Sequence, residues 1–121
     1  MAAPSDTYRI LALALHARQP LACTYNDQPR VICPIILGHS DGVEMALVYQ
    51  VAGSTSAGPL RSPQWKCLAL DRLSGIALAK AAQWIPGRAH NQPQHCVAQV
   101  DYDFDPASPY DPRRSLGDLT P

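Results

Sequence analysis

The 121-residue chain has no excess of either charge: ten Lys and Arg are cancelled by ten Asp and Glu. A neutral chain exerts no global pull on nucleic acid, so binding of that kind must rest on a local basic patch. Long apolar runs are also missing. No stretch approaches the roughly 20 residues that a membrane-spanning helix requires, and no membrane partner is expected. The opening Met1-Ala-Ala-Pro-Ser-Asp-Thr-Tyr-Arg9 has no basic region, and the apolar run from Ile10 to Leu15 is too short for the core of a secretory signal. The expectation is cytoplasmic residence, with all four cysteines reduced. There is no Cys-x-x-Cys pair, no Gly-Lys-Ser/Thr phosphate loop, no internal repeat and no catalytic motif. The chain reads as a non-enzyme with no cofactor.

What is present is a foldable composition. Apolar residues make up 46% and charged residues 17%, enough for one packed domain. The domain is expected over 1–106, and 107–121 reads as an extended Pro-rich tail. Ser5 or Asp6 supplies a helix start, and Tyr8, Leu11, Ala12 and Leu15 fall at helical spacing, with Ile10, Leu13, Ala14 and Ala17 on a neighbouring stripe. Pro20 stops the helix, giving an element at about 6–18.

After Pro20 the apolar period shifts from 3.6 to 2. Strands are expected at 21–25, 30–37, 43–50, 65–70 and 96–104. Asn26-Asp27-Gln28-Pro29 turns the first pair and Asp41-Gly42 the second. Residues 51–63, rich in Gly and Ser, read as a flexible loop longer than most connections. The Ala-rich stretch from Ile76 to Trp84 is open to a helical reading, although Gly75 and Pro86 bracket it. In the last strand Cys96, Ala98, Val100, Tyr102 and Phe104 alternate with Gln99, Asp101, Asp103 and Asp105, which predicts one buried and one acidic face.

One helix followed by strands with these anchors resembles the WYL domain, an SH3/Sm-like barrel of bacterial regulators, over about 10–105. The resemblance rests on Tyr25 ending the first strand, Arg30 opening the second with Pro34 four residues on, and Asp71-Arg72-Leu73 after the fourth. Where the family carries Trp-Tyr-Leu, this chain reads Met45-Ala46-Leu47. The helix-turn-helix that normally precedes the domain is not seen, so a base-reading transcription factor is not expected. The implied fold is mainly β, a five-stranded SH3/Sm-like barrel with one N-terminal α-helix. The implied function is a regulatory module that binds a small anionic ligand or single-stranded nucleic acid. The alternative is a protein–protein interaction or self-association module, including a homodimer; a small Cys/His enzyme ranks last.

Several side chains are candidates for such a site. Arg30 and Arg72 can grip a phosphate or carboxylate bidentately if the barrel brings them to one face. Otherwise Arg30 staples its hairpin and Arg72 pairs with a carboxylate such as Asp71 or Asp101. Lys66 and Arg61 flank Trp65, and Tyr25 and Tyr49 stand on nearby strands, the interleaving that single-stranded nucleic acid favours. Trp65 alternates with Cys67 and Ala69, which favours the core. The ligand or nucleic-acid site is therefore assigned to Tyr25, Arg30, Tyr49, Lys66 and Arg72.

Other groups favour plainer roles. Gly53 to Gly58 offers backbone N–H groups for an anion but reads more simply as a solvated loop. Cys23, Cys33, Cys67 and Cys96, with His90 and His95, are the available zinc ligands. They lack ligand spacing and read as small core residues, with Cys23 and Cys33 placed opposite each other across the first hairpin. Asp101, Asp103 and Asp105 can hold a divalent ion, but solvation of an outer strand face is the simpler reading.

Overall fold

The computed structural model describes residues 4–85 and 96–104. The expected tail at 107–121, the partial zinc set His90 and His95, and Asp105 lie outside the described residues. The chain opens with α1 (Asp6–Ala17), whose Ser5 cap accepts the N–H of Tyr8 at 3.1 Å. Ser5 is itself held: its N–H and hydroxyl both donate to the carboxylate of Glu44. The helix ends at Arg18 in the left-handed region, and Gln19 N–H closes back onto the Ala14 carbonyl just before Pro20. Tyr8, Leu11, Ala12, Ala14 and Leu15 are buried, while Ile10 and Leu13 of the second stripe face out.

Seven antiparallel strands follow: β1 (Leu21–Tyr25), β2 (Gln28–Ser40), β3 (Val43–Thr55), β4 (Gly58–Pro59), β5 (Gln64–Ala69), β6 (Leu73–Leu78) and β7 (Gln99–Asp103). Two 13-residue strands, β2 and β3, form the spine. The N-terminal part of β2 pairs with β1, and β1 with β6; its C-terminal part pairs with β7. On the other side, β3 pairs first with β5 and then with β4. Register shifts between Val31 and Ile32 and between Pro34 and Ile36 bend the spine. The result is a mainly β, strongly curled half-barrel with one helix, of seven strands rather than five.

Local backbone chemistry accounts for the differences from expectation. Asn26 and Asp27 both take positive φ and complete a two-residue turn, so Gln28 and Pro29 already belong to β2. The register then sets Cys23 opposite Arg30 and Cys33 opposite Tyr49; the two cysteines do not face each other. Residues 51–63 are not one long loop. β3 runs on to Thr55 and turns back into β4, with Thr55 Oγ1 accepting from Ala57 N–H and donating to the Gly58 carbonyl. Gly53 makes this possible: at φ 98° a Cβ there would meet the Pro29 carbonyl at 2.3 Å. The stretch after Leu73 becomes β6 rather than the start of a helix, because Gly75 adopts positive φ and β1 offers a free edge.

Alternate residues of the spine face two separate cores. On the helix side, the buried residues of α1 form one cluster with Leu21, Cys23, Tyr25, Ile32, Leu37, Ala46, Val48 and Leu68. On the far side, Cys33, Ile35, Ile36 and Leu47 pack under Val97 and Val100, with Tyr49, Trp65 and Trp84 around them. The acidic-face expectation for β7 fails here. Asp101 and Asp103 are buried: β7 packs into both clusters through Val100 and Tyr102, and Tyr8 of α1 and His39 close on Asp101.

The reduced-cysteine expectation is also overturned: Cys67 and Cys96 form a disulfide, their Cα atoms 5.7 Å apart. Nothing local in sequence signals it, since the partners are 29 residues apart and meet only where the crossing segment reaches β5. Cys23 and Cys33 are free and buried, as core residues. No described helix is long and apolar enough to cross a membrane.

Candidate functional site

The most unusual group in the fold is Arg30. Its side chain leaves β2 on the helix side, opposite Gly53 and Cys23, and only 5% of the residue is exposed. The guanidinium lies over the Tyr25 ring, 5.1 Å from its centroid. Nη2 donates to Gln28 Oε1 at 2.9 Å and Nη1 to Gln50 Oε1 at 3.3 Å. Nε has no hydrogen-bond partner among the described residues. Nor does any described carboxylate come within ion-pair distance of it. A buried cation resting on neutral oxygens and one ring face is electrostatically incomplete, since burial normally demands a counter-charge.

The surroundings are held firmly. Gln50, fully buried, donates through Nε2 to the carbonyls of Ala52 and Ser54, which fixes its Oε1 toward Arg30. The Tyr25 hydroxyl accepts the Ala69 N–H at 3.1 Å, tying the end of β1 to the end of β5. Beside them, burial pushes the Cys23 thiol up to about 11, and the Arg30 charge pulls it back only in part. Burial likewise raises the Cys33 thiol, partly offset by the N–H of Ile85. Both thiols are therefore poor nucleophiles at neutral pH.

The five residues assigned from sequence do not gather at one point. Tyr25 and Arg30 stack together. Lys66 pairs with Val48, so it leaves β5 on the helix side as well, half-buried. Arg72 sits exposed in the 3₁₀ turn at Leu70–Arg72. Tyr49 projects to the far side, where it meets Trp65 edge-on at 5.1 Å. Neither Tyr25 nor Tyr49 is a free platform: one is capped by Arg30 and the other packs in the far core.

Sequence reasoning missed Gln28 and Gln50. A Gln within an apolar run was the available signal for Gln50, which continues the inward alternation of Ala46 and Val48. It also missed a second polar group, where Tyr8 donates to the buried Asp101 carboxylate and His39 Nδ1 lies 3.1 Å from the same oxygen. The Tyr8 and His39 rings stack at 5.6 Å. This cluster joins α1, β2 and β7 and reads as a structural clasp. Among the described residues, no three His, Cys, Asp or Glu side chains are grouped to hold a metal.

Comparison with known proteins finds no matching family model, no similar curated protein and no similar solved structure.

Proposed function

We propose that the protein is a non-enzymatic regulatory module of the WYL-like kind that binds a small anionic ligand at Arg30. The observation that carries this reading is the buried guanidinium with an unpaired Nε and no described counter-charge. A carboxylate or phosphate supplies that charge and accepts from the donors left free. Tyr25 provides the floor, Gln28 and Gln50 orient the fork, and Lys66 and Arg72 contribute long-range attraction. The SH3/Sm-like reading is supported by the route from β5 through the 3₁₀ turn into β6, which returns the chain to the free edge of β1. The inert buried thiols favour a binder over a cysteine enzyme. Single-stranded nucleic acid is the less favoured ligand, because the tyrosines are already covered and base stacking needs open ring faces. Cytoplasmic residence belongs to the same proposal.

The experiment is isothermal titration of the full chain with a panel of small carboxylates and phosphates, alongside Arg30→Gln and Arg30→Lys. Arg30→Gln is expected to lose at least about tenfold in affinity, as the loss of a charge-assisted bond implies. Arg30→Lys should recover little, because a point charge cannot replace the fork. Equal affinity in all three proteins overturns the assignment. No binding by any, with a stable dimer in light scattering, favours the self-association module instead.

A further inference from the structure

Three of the four cysteines belong to the far side of the spine. Cys33 opposes Tyr49, which opposes Trp65; one row along, Leu47 opposes Cys67. Directly opposed residues share a face, as do residues two apart on a strand, so Cys33 and Cys67 project from the same side. Cys96 reaches that side from the crossing segment and bonds to Cys67. The fourth, Cys23, opposes Arg30 on the helix side.

We infer that Cys67–Cys96 is a thiol-exchange site, a reducible latch whose opening frees residues 96–98 and β7 and uncovers Cys33. The inference goes beyond the ligand reading and does not depend on Arg30. Cys67 is solvent-exposed, so a reductant can approach it directly. Cys33 is completely buried in the far-side cluster together with Val97, its sulfur accepting the Ile85 N–H at 3.5 Å, and Cys23 is buried in the helix-side cluster. Raised thiol pKa values keep both from attacking the disulfide while the cover is closed.

The exchange is balanced by a dithiol reductant. One reductant thiolate attacks Cys67 Sγ, and Cys96 leaves as a thiolate and takes up a proton. The second reductant thiol then resolves the mixed disulfide and releases Cys67. Two electrons and two protons pass to the protein, and the reductant ends as a disulfide. What then holds the cover is noncovalent. Ser40 Oγ donates to the Cys96 carbonyl at 2.8 Å and accepts the Ala98 N–H at 2.9 Å. Beyond these are the short β2–β7 ladder and the bond from Tyr8 to Asp101. Losing a link that closes a 29-residue span removes a constraint worth on the order of a few hundredfold in the opening equilibrium. Reduction opens the latch and oxidation closes it.

The test is pulse alkylation of the full chain with iodoacetamide near neutral pH, read by peptide mass. Samples are compared after oxidation and after treatment with dithiothreitol followed by desalting. After reduction Cys67 and Cys96 are expected to label first. Cys33 should then label at least about tenfold faster than in the oxidised protein, with Cys23 unchanged. The Cys67→Ser/Cys96→Ser variant should match the reduced protein; if it fails to fold, the wild-type pulse decides alone. An unchanged Cys33 rate overturns the latch. So does a parallel rise at Cys23, which reports global unfolding, and so does an oxidised sample in which Cys67 and Cys96 both label.

Discussion

The two faces of the β2–β3 spine are built from alternate residues of the same strands, yet they are covered in different ways. The helix side is closed by α1, whose buried residues recur at a helical period and pack into one continuous cluster. The far side is closed by Trp84, Val97 and β7, which arrive from distant sequence and are fixed by one covalent bond and a few polar contacts. A helix cover follows from local periodicity and is expected to yield only with the whole domain. A strap cover is expected to have its own, lower threshold for opening. The comparison also places the incomplete charge of Arg30 on the helix-side face, away from the latch.

The largest effect is expected where the helix cover is thinned. Leu15→Ala removes a fully buried side chain and should cost about 2–5 kcal/mol in denaturant unfolding, lowering protection from hydrogen exchange on both faces together. Damage confined to β7 would break the comparison. Gly38→Ala acts from the other side: its Cβ would lie 1.9 Å from the Gln99 carbonyl and 2.7 Å from a Val97 methyl. It should cost about 3 kcal/mol, with exchange protection lost at 99–103 but retained in β1. Uniform loss would show that the two covers are one cooperative unit.

The third effect sharpens the chemistry of the helix side. The folded-state pKa of Cys23 is raised above the ordinary thiol value of 9.0 to about 11. Its contribution is therefore intact below pH 9 and is lost as pH rises through 11, a fall of about 2–3 kcal/mol. Urea titrations across that window should show the fall in the wild type and a flatter profile in Cys23→Ala. Equal profiles would mean that the thiol is not sealed in the helix-side core.

Sequence carried the helix-side architecture because its signals are local. Ser5 and Pro20 bound α1, Asp41-Gly42 turns β2 into β3, and the spine alternates apolar residues toward the helix. The rest depended on contacts between distant segments. Cys67 and Cys96 read as core residues because nothing near either announces the crossing. Asp101 looked like a solvated acid, and only the approach of Tyr8 and His39 makes its burial tolerable. Arg30 was legible as a candidate, but its burial was not. The Gln50 oxygen that receives it lies 20 residues away, across the β2–β3 pairing.

The clamp of Glu44 on Ser5 has a consequence for how α1 is held. A 12-residue helix is too short to persist alone in water. Its capping hydroxyl is oriented by a carboxylate 39 residues downstream. The opening turn of α1 therefore gains its full cap only where the Asp41-Gly42 corner brings Glu44 to Ser5. The helix start and the β2–β3 corner are thus held as one unit, although 39 residues separate Ser5 from Glu44.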